Sequence, residues 1–420
     1  MNRRIKNFGE LNTNSLRADA LAIAEAAYEA IDTAAAIRAH LSIEGTVLSA
    51  GGKTYDLAKY KRIRVMGFGK VSCAAAVAIE SLLRGHVSDG AVIDVRPGTC
   101  DLIDVSEGTH PRPSPQNVAL SERLVGMAQE GTEDDLVIVI VSGGGSSLLC
   151  WPLDECDQAT RLYDDLLQTG ATIEEMNTVR KHISSVKGGG FAAMLYPATV
   201  IGLIFCDIPG DRYEDVASAP TYLDKSTVAD AQQILDRYHL SGYTLKETPK
   251  DPHLFERVNN VPVVSNTSAL AAMEQAAAAA GYRVVNIGSD IYDSPEKLVE
   301  RLFAGVGPKT AVIGAGEPSL TVTTKGSKGG RCQYVALRAL GRVADGEVLV
   351  AFASDGIDNT EAAGAIADTE IRSRAQEQKL SAEERLADYD TYGFFEKTGG
   401  LILTGVTDSN VSDLFLLLRS

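Results

Sequence analysis

Paired cysteines, long apolar runs and the standard nucleotide-binding motifs are all missing from this chain of 420 residues. Cys73, Cys100, Cys150, Cys156, Cys206 and Cys332 are scattered without a CxxC pair, several in apolar surroundings, as small buried residues are. The expectation is a reduced, cytoplasmic chain without structural zinc or disulfides. No stretch approaches the roughly 20 apolar residues of a membrane-spanning helix. The start, MNRRIKNFGELN, lacks the apolar core of a signal peptide. Basic residues are few beside acidic ones, 40 against 56, so the formal net charge is −16. That balance argues against nucleic acid and anionic membrane as partners. An anionic substrate would need local lysines and arginines to overcome the field. Neither a GxxxxGK[ST] loop nor a GxGxxG loop occurs, and there is no short-period repeat or low-complexity tail.

What the chain does have is strand ends rich in glycine. The clearest is LVIVIVSGGGSSLL, Leu136 to Leu149. Its mostly β-branched run reads as a strand buried on both faces, as in a parallel sheet. Ser142, Gly143, Gly144, Gly145, Ser146 and Ser147 follow. Such a loop can turn sharply, approach a ligand and aim N–H groups and hydroxyls at an anion. Gly67 to Lys70, Cys206 to Asp211, Gly314 to Glu317 and Ser354 to Asp358 repeat the pattern of apolar strand, glycine and polar residue. Ligands bind at the carboxyl ends of strands in open α/β sheets, so these ends imply a shared cleft. Length and composition, 45% hydrophobic and 23% charged, fit a soluble enzyme of two or three domains. Alternating strands and helices predict α/β architecture with parallel sheets. Residues 14–42 read as one long helix or two, and Ser319 to Thr324 as a hairpin partner for Thr310 to Gly314. A polar, proline-bearing stretch around Lys246 to Asn260 reads as the domain junction.

Several residues carry two readings each. Lys70, in GFGK, is a solvated lysine or a clamp on a transferring phosphoryl group. Asp207 and Asp211 flank Pro209–Gly210; they are helix caps, or they hold Mg²⁺ or act as a base toward a hydroxyl. Asn177 and Arg180, three residues apart in MNTVRKH, share a helix face. Lys187 and three glycines follow them, an arrangement that suits an anion as well as solvent. His182 reads as structural. Lys325, Lys328 and Arg331 lie among glycines as a second anion loop or a hairpin tip. Asp355 and Asp358 are metal ligands or turn residues.

Taken together these segments resemble the type-2 glycerate kinase family, whose C-terminal module carries the MOFRL name. The resemblance runs in order through GFGK, GTHPRP, SGGGSSLL before Trp151–Pro152, TGATIEEMNTVRKHISSVKGG and DIPGDRYEDVASAPT. It continues through GAGEPSLTV, KGGRCQ, SDGID and FEKTGGLILTGVTDSNVSDL, and so spans nearly the whole chain. It implies two α/β domains with largely parallel, Rossmann-like sheets around an interdomain cleft. Residues 1–250 would be the N-terminal kinase domain and 251–420 the MOFRL-type domain, its last ~20 residues packing back on the first. The implied reaction is phosphorylation of the 2-hydroxyl of D-glycerate by ATP with Mg²⁺, giving 2-phosphoglycerate. A kinase for a longer sugar acid is the alternative, and a non-catalytic phosphometabolite-binding protein the rival from another class. Family members also carry the label hydroxypyruvate reductase, which no GxGxxG loop here supports.

Carried onto this sequence, Lys70 and Arg331 match the family's cleft lysine and arginine and would neutralise phosphoryl oxygens. Asp207 sits at its aspartate and would accept the substrate proton or hold Mg²⁺, with Asp211 and Asp355 as further ligands. The 142–147 loop would cradle phosphate and Arg180 the substrate carboxylate, with Asn177, Lys187 and Glu317 completing the site. Phosphoryl transfer needs mainly such positioning and charge neutralisation. The expected partners are glycerate or a related 2-hydroxy acid and ATP, without nucleic acid or membrane, in a homodimer. The chain also departs from the family. Ser114 stands for Asp, Ala219 for Gly in Ser-Gly-Pro-Thr, and Cys332–Gln333–Tyr334 for Asn-Gln-Glu, losing a carboxylate. Asn359, Val406, Asp408–Ser409 and SNTSAL also differ, so most changes fall in the second domain, where nucleotide handling or substrate choice would alter.

Overall fold

The structure, a computed structural model, describes all residues except 1–2, 97, 168 and 323–326. It divides into two compact units: residues 36–206 with 212–263, and residues 1–35 with 207–211 and 264–420.

The first unit opens with a small antiparallel sheet of β1 (Leu41–Glu44), β2 (Val47–Ala50) and β3 (Lys53–Asp56). Its main sheet holds β4 (Arg62–Phe68), β5 (Asp89–Asp94), β6 (Ile103–Glu107), β7 (Asp135–Val141), β8 (Thr199–Phe205) and β9 (Val258–Val264). Their order is β6-β5-β4-β7-β8-β9, and the strands from β6 to β8 pair in parallel. β7 and β8 are buried at every residue, which is what their unbroken apolar runs require. Phe68 lies opposite Val141, and Val141 opposite Ile204, so three carboxyl ends finish level. The loops that leave them therefore start from a common edge.

The second unit contains β10 (Arg283–Asn286), β11 (Thr310–Gly316), β12 (Glu347–Ala353), β13 (Gly364–Asp368), β14 (Leu401–Ile402) and β15 (Asp413–Arg419). Their order is β10-β11-β15-β12-β13-β14. Only β10 and β11 pair in parallel; the other neighbours are antiparallel. The α/β class holds, but the expectation of a largely parallel sheet is corrected here. No helix separates β12 from β13, so the chain returns antiparallel instead of crossing over. In the tail, Leu414 to Leu418 are fully buried and fill the middle of this sheet between β11 and β12. β15 thus takes the place beside β11 expected of residues 319–324, of which 319–322 form no strand and 323–324 lie outside the described residues.

The boundary at 250 is likewise corrected at the N-terminus. The helices Ser15–Ala30 and Thr33–His40 are separate, and residues 1–35 belong to the second unit. A buried ion pair fixes them there. Arg17, 0% exposed, donates from Nε to Asp368 Oδ2 at 2.6 Å and from Nη2 to Oδ1 at 2.8 Å. Asp368 also caps the helix Thr369–Glu377 through the Ile371 N–H. Tyr28 adds a hydrogen bond to the Ala353 carbonyl at the end of β12.

One expectation about cysteine is overturned. Cys150 and Cys156 are joined in a disulfide, with Cα atoms 5.5 Å apart. The chain turns at Trp151–Pro152 into the helix Leu153–Leu167, which brings Cys156 on its first turn back against Cys150. Among the described residues, no helix is long and apolar enough to cross a membrane.

Removing one member of a buried pair leaves the other charge uncompensated, which costs about 3–5 kcal/mol. Arg17→Ala should therefore lower the unfolding free energy by that order in urea titration. A loss below 1 kcal/mol would mean that residues 1–35 are not anchored by this pair.

Candidate active site

In the first unit the site grows from the level ends of β4 and β7. Gly69 leaves β4 at φ 130, and a Cβ there would lie 2.0 Å from Ser142 Oγ, so no other residue fits. Lys70 N–H then donates to the Gly143 carbonyl at 2.9 Å, which ties the lysine segment to the 142–147 loop. Gly144, at φ 79, lies under the His110 ring and the Lys70 stem; a Cβ there would meet His110 Cδ2 at 2.9 Å and Lys70 Cγ at 3.3 Å. Asn117, fully buried, donates to the carbonyls of Thr109 and Ser147, both at 2.8 Å, and accepts from the Thr109 N–H. It thereby clips the His110 loop to the glycine loop.

A hydrogen-bonded chain runs from this loop to the helix Ile173–His182. Ser146 Oγ meets Ser218 Oγ at 2.8 Å, Ser218 donates to Asn177 Oδ1 at 3.2 Å, and Arg180 Nη1 donates to the same oxygen at 2.9 Å. Lys187, 2% exposed, donates from Nζ to the Leu149 carbonyl at 2.9 Å. Lys70, Arg180 and Lys187 have no carboxylate in ion-pair range among the described residues. Burial lowers Arg180 to about 10, and burial with the Arg180 charge lowers Lys187 to about 7. Desolvation and the Lys70 charge push His110 down to about 4, so its imidazole is neutral at physiological pH. His182 is structural, its Nδ1 at 2.9 Å from the Thr178 carbonyl.

Ser218 is presented by a strained turn. Ala217, Ser218 and Ala219 stand at φ 52, 62 and 59, left-handed conformations that non-glycine residues avoid. The N–H groups of Gly188 and Gly189 hold this turn, bonding the carbonyls of Ser218 and Ala219 at 3.0 and 2.6 Å.

The second unit has its own candidate site, a cavity of about 590 Å³ lined by Glu317, Arg331, Tyr334, Asp355, Tyr389 and Asp413 among others. Arg331 opens the helix Arg331–Leu340 and is bound on two sides, by Asp413 at 2.8 Å and Glu317 at 3.2 Å. Asp358 accepts from the N–H groups of Cys332 and Gln333 and so caps that helix. Burial raises Asp358 to about 6 and Asp413 to about 8, the latter despite the Arg331 guanidinium. Lys328 pairs with Glu361 at 2.9 Å. Lys325 lies outside the described residues. Lys328 and Arg331, read as parts of an anion loop, are each bound by acidic side chains, and Asp358 holds the helix N–H groups beside them.

Asp207 is half-buried, and Asp211 accepts from the Thr267 hydroxyl. Asp355 accepts from the Ile357 N–H at 2.9 Å. Among the described residues, no group of three or more His, Cys, Asp or Glu is arranged to hold a metal ion, so Asp207, Asp211 and Asp355 form no ready-made triad. Sequence reasoning also missed Asn117, Ser218, His110 and Asp413. The first three lie in GTHPRP with its following helix and in VASAPT, motifs read without roles.

A family profile described as "Domain of unknown function (DUF4147)" matches residues 19–249, and one described as "MOFRL family" matches residues 310–413. A protein of Pyrococcus horikoshii named "Glycerate 2-kinase" is 31% identical, over 93% of this chain and 94% of its own. The chain belongs to the glycerate 2-kinase family. The crystal structure of a glycerate kinase from Thermotoga maritima superposes with a TM-score of 0.84 at 28% identity, over 97% of this chain and 100% of that one. A family member from Agrobacterium vitis, 32% identical over 85% of this chain and 87% of its own, is named "Putative hydroxypyruvate reductase". Membership makes the chain an enzyme of the phosphotransferase class.

Two outcomes follow from the first unit. The unfolded Lys187 amine titrates near ~10.4, while the folded one titrates at about 7. Between these values the unfolded chain holds the extra proton, so stability rises with pH there, and the full penalty stands below 7. Lys187→Met should unfold at higher urea than the parent near about pH 6, and the two midpoints should converge toward about pH 9.5. Parallel midpoint curves would contradict the depressed amine. Ala219→Gly should add about 1 kcal/mol of stability by relieving the left-handed strain, read in the same titration; a destabilised variant would deny that strain.

Proposed function

We propose that this enzyme transfers the terminal phosphoryl group of ATP, with Mg²⁺, to the 2-hydroxyl of D-glycerate, giving 2-phosphoglycerate and ADP. One observation carries the reading. In a chain of net charge −16, Lys70, Arg180 and Lys187 gather about one glycine loop with no carboxylate in ion-pair range among the described residues. Cations left in that state favour an anion, which would raise the lowered Arg180 and Lys187 back toward their ordinary values. Arg180 would take the substrate carboxylate in its guanidinium fork. Lys70, with Ser146 and the backbone of 143–145, would meet phosphoryl oxygens. The neutral His110 ring would shield Lys70 from water without competing for the anion. Asp207 would accept the hydroxyl proton or hold the metal.

Mg²⁺ keeps several waters and commonly takes one or two carboxylates together with substrate phosphates. A single half-buried Asp207 following β8 fits that donor set, and a three-carboxylate cage is not needed. When bound, the ion would neutralise charge on the phosphates. The substrates are small molecules, and the compartment we assign is the cytoplasm.

The test is ATP turnover across D-glycerate, L-glycerate and C4 to C6 sugar acids, with phosphorus NMR of the product. Saturable turnover of D-glycerate to 2-phosphoglycerate is expected. Turnover of a longer acid alone would keep the kinase and change its substrate, and oxidation of a nicotinamide with hydroxypyruvate would replace it by a reductase. Lys70→Ala should lower kcat about 100-fold or more while moving glycerate affinity far less. Equal loss in both would make Lys70 a ground-state binding group.

A further inference from the structure

Cys150 follows the glycine loop closely, and its bond to Cys156 closes a ring of contacts through Lys187. On one side of the ring Leu149, next to Cys150, accepts Lys187 Nζ on its carbonyl at 2.9 Å. On the other side lies Glu155, next to Cys156 and 5% exposed. Its carboxylate accepts from the N–H and the hydroxyl of Ser185, two residues before Lys187, and pairs with Lys246. Cys150 has a second fastening, because its N–H donates to Ser121 Oγ at 2.8 Å. The first turn of the helix Leu153–Leu167 is tied to the glycine loop through the sulfur–sulfur bond.

Resting on the anion site proposed above for this unit, we propose that Cys150 and Cys156 form a redox switch. A dithiol reductant opens it, and the open form holds anions less tightly at the Lys187 end of the site. Cytoplasmic disulfides are as a rule transient and serve catalysis or redox sensing. One thiolate of the dithiol attacks a sulfur of the pair, forming a mixed disulfide and releasing the other cysteine. The second thiolate then breaks the mixed bond and releases the first cysteine. The protein gains two electrons and two protons, and the dithiol becomes a disulfide. Both sulfurs are buried, but Leu153 and Asp154 between them are exposed, so the reductant approaches through this turn. Reduction leaves Cys150 on Ser121 and frees the helix turn that carries Glu155. Ser185 and Lys187 can then draw away from the Leu149 carbonyl, and the lost preorganisation adds an ordering cost to anion binding.

The experiment counts thiols and measures calorimetric binding of inorganic phosphate, both on the full chain. Alkylated in denaturant without reductant, the protein should show four thiols, Cys73, Cys100, Cys206 and Cys332. Dithiothreitol should raise the count to six. The reduced protein should bind phosphate about tenfold more weakly, and reoxidation with oxidised glutathione should restore the affinity. Cys156→Ser should match the reduced parent and ignore dithiothreitol. Cys150 and Cys156 both alkylated after that reoxidation overturn the proposal. Equal phosphate affinities in the two states, or none in either, overturn it as well. If Cys156→Ser does not fold, the parent in its two states still decides. Redox-dependent phosphate binding without ATP turnover keeps the switch and sinks the kinase reading, so the two failures are distinct.

Discussion

Everything in the first unit's site depends on how closely two parallel strand ends approach. β4 and β7 finish level, Phe68 opposite Val141, and adjacent strands lie only ~4.8 Å apart. The chain leaving β4 must then pass the chain leaving β7 with almost no space, and Gly69 is where it passes. From that approach follow the Lys70 bond to Gly143, the position of Lys70 over Gly144, and the seat of His110 on the same glycine. Asn117 fastens the result with bonds to two backbone segments. A side chain at 69 or a shift in strand register would displace all of these together.

Much of this was legible in the sequence because it rests on local rules. An unbroken apolar run predicts a fully buried parallel strand, and β7 and β8 are that. The glycines of SGGGSS, and Asn177 with Arg180 on one helix face, needed only turn chemistry and helical spacing. Contacts between distant segments were not legible. That β15 enters the middle of the second sheet depends on a pairing across about 100 residues to β11, and a strand's neighbours cannot be read from its own composition. Arg17 looked like any surface residue of an Ala-rich helix; only Asp368, far along the chain, makes its burial tolerable. Arg331 was read with Lys325 and Lys328 as part of an anion loop or hairpin tip because its neighbours in sequence are basic and glycine-rich. The acids that hold it, Glu317 and Asp413, come from elsewhere.

The two units treat positive charge in opposite ways, and the difference has chemical content. In the second unit every described cation at the cavity meets a carboxylate. In the first, Arg180 and Lys187 are buried without a carboxylate in ion-pair range among the described residues, and desolvation lowers both. Uncompensated burial is costly, so it persists only where the ligand-bound state recovers the loss. The left-handed run of Ala217, Ser218 and Ala219 fits the same logic. A relaxed turn would serve packing alone as well; this one places Ser218 between Ser146 and Asn177.

Stored desolvation and stored strain share a consequence. If the cluster binds an anion as proposed, the fold is more stable occupied than empty, because the anion would return full charge to Lys187 and share the hydrogen bonds of Arg180. Ligand binding and folding then draw on the same free energy, and occupancy raises stability by mass action. The acidic surface adds to this, since anions reach the loop only through an unfavourable field and must be recognised at short range. On the proposed reading, selectivity would fall to hydrogen-bond geometry at Ser146, Ser218, Asn177 and Arg180 more than to long-range attraction. A site built this way discriminates by fit, and it gives up electrostatic capture from a distance to do so.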